Sequence, residues 1–323
     1  MERHMSHSPR ISVVMGIYNG AEHLAFTIES VLSQTMTDLE FIIVDDGSTD
    51  ETPELLERFA NADSRLIVVT QENAGLTKAL MAGCSQARGE FIARQDVGDG
   101  SLPNRLQKQL DFLEANPDVV AVGGGCRRIG PKGEFLGETV HDMNPKEVTD
   151  YFLSDGIGLS HPVSMYRREA YEAAGGYRSE FRFAQDTDLW FRMLRVGYLA
   201  NVSEVLVELR NDVYGISSSS HDRQRILAML AWESFQAIER GDSDAAILEH
   251  AKKVSWEKLT QTQTIAPAQA KARAENFIGS QLYALGDSRC REYLWRAVRS
   301  RPYWLRPWTK LFLSFLTTKK ATE

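Results

Sequence analysis

Four short apolar runs, each followed by a helix-like stretch, organise the first hundred residues. They fall at residues 11–15, 41–44, 66–69 and 91–93 and are β-branched or aromatic, continuous rather than alternating. Runs of that kind read as strands buried on both faces, as in a parallel sheet. Between them, Leu24, Ile28, Val31 and Leu32 fall at i, i+4, i+7 and i+8, one face of a helix. Residues 53–60 and 76–87 read the same way. With right-handed crossovers, the order βαβαβαβ predicts an α/β fold, an open, doubly wound sheet with helices on both faces. Ligands of such sheets bind beyond the carboxyl ends of the strands. The segments to inspect are therefore 16–19, 45–48, 71–75 and 94–100, and three of the four contain acids.

Further along, the pattern predicts a helix over 103–116, a strand over 119–122 broken by the glycines at 123–125, and irregular chain from 126 to 160. A short strand (163–166), two helices (168–174 and 187–195) and a late strand (205–209) follow. At the serine run 217–220 the character changes and the remainder is helix-rich. The expected division is a polar, flexible tail over 1–10, an α/β domain over 11–220 and a helical appendage over 221–323. His4 and His7 in the tail read as solvated rather than metal-bound.

Composition narrows the function classes. A net charge of −7 argues against a general nucleic-acid binder. Cys84, Cys126 and Cys290 are scattered and form no C-x-x-C pair, which argues against a disulfide framework or a thiolate zinc site. The first ten residues are polar, with no apolar stretch of leader type, and no run of about 18 apolar residues occurs. The expected location is the cytoplasm.

Three acidic segments could carry chemistry. In Val44-Asp45-Asp46-Gly47-Ser48, two carboxylates sit at the mouth of a buried strand. They could form a turn and a helix cap, or accept from a base N–H or a ribose hydroxyl. In Arg94-Gln95-Asp96-Val97-Gly98-Asp99, two carboxylates three apart suit Mg²⁺ or Mn²⁺, whose shell substrate phosphates and water complete. A solvated acidic loop is the plainer reading. In Gln185-Asp186-Thr187-Asp188-Leu189-Trp190 the first acid could cap a helix or serve as a general base.

In order and spacing these segments resemble the family-2 glycosyltransferases, over residues 10 to 217. The opening Ile-Ser-Val-Val-Met-Gly-Ile-Tyr18-Asn19 resembles that family's first strand and turn, and residues 28–35 its first helix. Phe-Ile-Ile-Val-Asp45-Asp46-Gly-Ser-Thr-Asp resembles its nucleotide signature, and Asn73-Ala74-Gly75-Leu76 its third turn. Residues 87–93 lead into the metal loop, Ser101-Leu-Pro-Asn-Arg-Leu follows it, and His161-Pro162 and residues 185–190 match later acceptor-side motifs. The resemblance implies a GT-A fold with a mostly parallel sheet. It implies an inverting, metal-dependent transferase that moves a sugar from a nucleotide-diphospho-sugar, UDP- or dTDP-linked by resemblance, to a hydroxyl of a glycan or lipid-linked acceptor, as in surface polysaccharide biosynthesis. Tyr18, Asn19, Asp45, Asp46, Asn73 and Gly75 would hold the nucleoside, and Arg94 and Asp96 the donor. Asp186 would be the base, His161 and Trp190 would face the acceptor, and Mn²⁺ or Mg²⁺ would bind Asp96, helped by Asp99 or Asp212.

Three departures stand out. Gly98 occupies the place where many relatives have the second metal-binding Asp. Gln185 stands where relatives usually have Glu, which removes a charge beside Asp186. Asp212 stands in a late loop where relatives often have His. The absence of a Gln-x-x-Arg-Trp motif and of membrane spans implies a non-processive enzyme. The alternative is a catalytically inactive nucleotide-sugar-binding module of the same fold, for which Gly98 speaks. At the C-terminal end, Arg296, Arg299, Arg301, Arg306 and Lys310 interleave with Trp295, Tyr303, Trp304, Trp308, Phe312 and Phe315. They read either as an interfacial helix for peripheral contact with an anionic membrane or as a helix packed on the catalytic domain.

Overall fold

A computed structural model describes residues 8–141, 144–155, 159–211, 221–256 and 267–316. By its contacts the chain forms two compact units. One comprises Met1–Cys126, Val140–Glu208 and Arg225–Ser255; the other comprises Arg127–Thr139, Leu209–Gln224 and Trp256–Glu323.

The first unit is built on strands β1 (Ile11–Ile17), β2 (Leu39–Asp45), β3 (Leu66–Thr70) and β4 (Phe91–Arg94), all parallel, in the order β3-β2-β1-β4. Helices α1 (Ala21–Leu32), α2 (Thr52–Ala62) and α3 (Leu76–Gln86) connect them. β1 and β2 are buried along their whole length, which is why their sequences do not alternate. The chain winds outward from β1 to β3 and then crosses back to place β4 on the other side of β1. That reversal opens a crevice beyond the carboxyl ends of β1 and β4. Val14 and Arg94 are partners where the two strands approach it.

The sheet continues through later elements: β5 (Gly100–Ser101), α4 (Arg105–Ala115), β6 (Val119–Ile129), β7 (Phe135–Thr139), α5 (Pro145–Asp155), β8 (Met165–Arg167), α6 (Arg168–Ala173), α7 (Gln185–Met193) and β9 (Tyr198–Arg210). Beyond β4 the order runs β8-β6-β9-β5, with β8 antiparallel to both its neighbours and β7 paired with β6. Two expectations fail here. The glycines at 123–125 do not break the strand, and 126–160 is not irregular: β6 runs on to Ile129, followed by β7 and α5. The glycines serve close packing instead. A Cβ on Gly123 would sit 2.4 Å from Asn201 Oδ1, and one on Gly124 would sit 2.5 Å from Leu206 Cδ1, so only glycine lets these side chains of β9 press onto β6.

Helices α8 (His221–Glu239) and α9 (Ala245–Trp256) follow the serine run. Leu227, Leu230, Ala231 and Ala251 join the same apolar cluster as Leu189, Trp190 and Phe191. In the second unit, α10 (Pro267–Ala284), α11 (Cys290–Ser300) and α12 (Leu305–Leu316) close over Ile278, Leu282, Tyr293, Leu294, Val298 and Leu311. All three cysteines are free and buried. Among the described residues, no helix is long and apolar enough to cross a membrane.

Candidate active site

The crevice is framed by the loops after β1, β2, β3 and β4, and hydrogen bonds lash these loops together. Asn19 adopts a left-handed backbone (φ 52°), which asparagine tolerates better than most residues. Its N–H donates to Ser48 Oγ at 2.9 Å, and its Oδ1 accepts from Thr49 N–H at 2.8 Å. Asp45 is buried and accepts from Ser48 N–H at 3.0 Å. Asp46 is saturated: Oδ1 accepts from Gln71 Nε2 (2.7 Å) and Ala74 N–H (2.8 Å), and Oδ2 from Gly75 N–H (2.7 Å). It is therefore spent on the loop that leads into α3, about 30 residues on, and not on a cap of the helix that follows it. Gly75 needs its positive φ of 90°, and a Cβ there would meet Arg182 Nε at 3.0 Å.

Of the residues expected to hold the nucleoside, Asn19, Asp46 and Gly75 thus spend their polar groups on the scaffold. Tyr18, 51% exposed, and Asn73, also exposed, leave theirs at the rim. Asp46→Ala should cost about 1.5–3 kcal/mol or more, because charge-assisted hydrogen bonds are lost and backbone donors are left bare. Urea unfolding without nucleotide measures it. Unchanged stability combined with lost nucleotide binding would instead make Asp46 a ligand contact.

Arg94 and Arg105 brace the segment over 94–101, and both are fully buried. Arg94 donates from Nη1 to the carbonyls of Val14 (2.7 Å) and Gln95 (3.0 Å), and from Nη2 to Asp96 Oδ1. Its Nε donates to His161 Nε2 at 3.2 Å. Arg105 donates to Gln95 Oε1 (2.9 Å), Ser101 Oγ (2.8 Å) and the Arg94 carbonyl (2.6 Å). Burial pushes its guanidinium down to about 10, with the Arg94 charge acting the same way. Gln95 Nε2 donates to the carbonyls of Asp96 and Asp99, which closes the loop. Asp96 stays partly open at the crevice, while Asp99 is buried and its charge is felt by Arg105. Gly98 has φ 95°, and its N–H donates to Thr27 Oγ1 at 2.9 Å, so the position is set by the backbone.

His161 and Trp190, expected on the acceptor side, are buried instead. His161 Nε2 lies 2.8 Å from Tyr177 Oη, which lies 3.2 Å from Tyr166 Oη. Burial, and then the Arg94 charge, hold its pKa well below the ordinary imidazole value, so it is neutral. Trp190 packs edge-on against both His161 and Tyr166. Both are packed in the interior, a placement that neither the His-Pro nor the Asp-Leu-Trp spacing shows.

Asp186 opens α7, with Oδ1 accepting from Thr187 N–H at 2.8 Å. Burial raises its pKa and the Asp96 charge raises it further, against a lowering by Arg94. Asp96, Arg94 and Asp186 thus lie within electrostatic reach of one another, although 90 residues separate the two acids. Gln185 Oε1 beside it is buried with no hydrogen-bond partner. Among the described residues no three His, Cys, Asp or Glu side chains converge on one ion, and Asp212 lies outside the described residues, as do His4 and His7.

A family profile described as glycosyl transferase family 2 matches residues 12–175. The chain is a family 2 glycosyltransferase. It is 33% identical over 248 residues to a putative glycosyltransferase, EpsE, of Bacillus subtilis (strain 168), covering 74% of this chain and 87% of that one. It is 32% identical over 185 residues to the O-antigen biosynthesis glycosyltransferase WbnJ of Escherichia coli, covering 57% and 71%. Among solved structures it is similar to S. aureus TarS 1-349 in complex with UDP-GlcNAc (TM-score 0.59, 18% identity, 94% of this chain and 90% of that one). It is also similar to the mannosyltransferase PcManGT from Pyrobaculum calidifontis in complex with GDP-Man and Mn²⁺ (TM-score 0.55, 19% identity, 97% and 88%). At those identities the likeness establishes the fold, which is GT-A.

Proposed function

We propose that this glycosyltransferase is inverting, non-processive and dependent on Mn²⁺ or Mg²⁺. On this reading it moves a sugar from a nucleotide-diphospho-sugar to a hydroxyl of a glycan or lipid-linked acceptor, in the cytoplasm, for a surface polysaccharide. The observation that carries the reading is that Asp96, partly open at the crevice, lies within electrostatic reach of Asp186, whose pKa is raised. Support for the pathway comes from the relatives, among which WbnJ is described as acting in O-antigen biosynthesis and AmsE of Erwinia amylovora in amylovoran biosynthesis.

In this mechanism the rim residues Tyr18 and Asn73, with Asp45, take the nucleoside. Asp186 accepts the proton of the acceptor hydroxyl as that oxygen attacks the anomeric carbon from the face opposite the departing diphosphate. One bond forms to the sugar, one breaks to the phosphate oxygen, and the configuration inverts. Arg94 keeps Asp96 fixed. The residues fit a divalent ion: one half-open carboxylate is enough protein ligation when diphosphate and water complete the shell. Asp96 would hold the ion, which would supply Lewis-acid stabilisation of the leaving group.

The two neighbouring structures hold different nucleotides, UDP-GlcNAc and GDP-Man, so the fold leaves the donor open. Our choice is UDP or dTDP. A thermal-shift series with UDP, dTDP and GDP, with and without Mn²⁺, tests it. A ligand at 100 times its Kd adds about 2.7 kcal/mol. The expected outcome is a metal-dependent shift with a pyrimidine diphosphate. A shift with GDP alone would move the donor class, and no shift with any of the three would count against the transferase reading.

A further inference from the structure

In the second unit, α12 is apolar on two sides. Pro307, Leu311 and Ser314 are buried, yet Leu305, Trp308, Phe312 and Phe315 fall at i, i+3, i+7 and i+10 on the outside and are exposed. Phe312 is 66% exposed, Phe315 60% and Tyr303, on the turn before the helix, 96%. A helix that is hydrophobic all round is normally covered. Between α11 and α12 runs an open groove of about 530 Å³. Trp295 and Trp308, edge to face with centroids 6.3 Å apart, form part of its wall with Phe312 and Phe315. The acid on its lining, Glu292, is tied to Lys132 Nζ (2.8 Å) and to Arg296.

The surrounding charge selects the occupant. From Cys290 to Leu316 there are six basic residues (Arg291, Arg296, Arg299, Arg301, Arg306 and Lys310) against the single acid Glu292, in a chain whose net charge is −7. Within α12 itself there is no acid. Among the described residues, Arg306 and Lys310 have no ion-pair partner. A second copy would bring like charges together. Apolar aromatics flanked by Trp, Tyr and unpaired Arg and Lys match the boundary between headgroups and acyl chains of an anionic bilayer.

We propose that the α11–α12 face is a membrane-docking surface. In it Leu305, Trp308, Phe312 and Phe315 enter the acyl boundary, the groove takes part of a lipid chain, and Arg306 and Lys310 meet anionic headgroups. The surface is independent of the donor crevice, so its test does not depend on the activity.

The test is co-sedimentation of the full-length chain with vesicles of phosphatidylcholine alone or containing phosphatidylglycerol. Binding to the anionic vesicles only is expected, weakening as salt is raised. Phe312→Ser/Phe315→Ser and Arg306→Glu/Lys310→Glu should each weaken it by about tenfold or more, with unchanged thermal melting because these side chains are exposed. Should a variant fail to fold, quenching of the wild-type tryptophans by brominated lipid decides in its place. No binding by the wild type, equal binding by folded variants, or no quenching overturns the proposal. A dimer that the Phe312→Ser/Phe315→Ser change dissolves, without vesicle binding, gives the face to a second copy and also overturns it.

Discussion

Asp186→Asn should lower kcat by about 10²–10⁴-fold, the contribution expected of a positioned general base, while the protein should melt no lower than wild type at pH 7. Both halves follow from the environment of one carboxyl. Its pKa is raised first by burial and then by Asp96. An acid whose folded pKa lies above its unfolded value contributes stability fully below the unfolded pKa, and that contribution is lost as pH rises through the folded pKa. At pH 7 the wild type therefore carries the cost of a partly buried anion, and asparagine removes it. The Thr187 N–H still finds an acceptor, because the amide oxygen can replace Asp186 Oδ1. In acid the advantage of the variant should vanish. The wild-type rate should fall on the acid side at a pH above that of an ordinary aspartate, as the base takes up its proton. Gln185→Glu, which puts a second carboxyl beside the base, should move that limb higher still. Steady-state kinetics from acid to neutral pH, paired with calorimetry, read all of this. Activity within a few-fold of wild type would remove Asp186 from the chemistry.

Asp188→Ala, two residues on, should do the reverse and cost about 3–5 kcal/mol of stability, as expected when one partner of a buried ion pair is removed. Asp188 is 1% exposed and accepts from two arginines at once. Arg178 reaches it through Nε at 3.0 Å and through Nη2, and Arg192 through Nη2 at 2.6 Å. Arg178 also donates to Asp244 at 2.8 Å and Ser234 at 3.0 Å, so Asp188 anchors α8 and the start of α9 to α7. Alanine strands the buried Arg192 guanidinium and leaves Arg178 with one carboxylate instead of two. A loss of that size is a large fraction of the 5–15 kcal/mol typical of a folded domain. Urea unfolding measures it; a change below about 1 kcal/mol would mean that the pair is worth no more than a surface one.

The contrast between these two acids shows where sequence reading stops. Both stand at the start of one helix, in Asp-Thr-Asp, where the sequence reading offers a cap or a base for Asp186 and no role for Asp188. The four parallel strands and the position of the crevice were legible, because burial on both faces forces continuous apolar runs and right-handed crossovers leave few topologies. The family motifs were legible too, since loop residues at strand ends are constrained in type and spacing. The reach of a side chain was not. Asp46 looked like a nucleotide contact, yet it accepts three donors from the loop after β3. His161 and Trp190 looked like acceptor contacts, yet both are buried, His161 against Arg94 and Trp190 edge-on against His161. The glycines at 123–125 looked like a break, yet two of them let β9 close on β6. The helices after residue 220 looked like one appendage, yet residues 225–255 cluster with the first unit. Local pattern along the chain determined the four parallel strands and the loops that frame the crevice beyond their carboxyl ends. Which carboxylates are spent on hydrogen bonds and which remain for chemistry was decided by tertiary structure, because deciding partners such as Gln71, Ala74 and Gly75 for Asp46 and Arg178 for Asp188 come from other segments and no local periodicity records them.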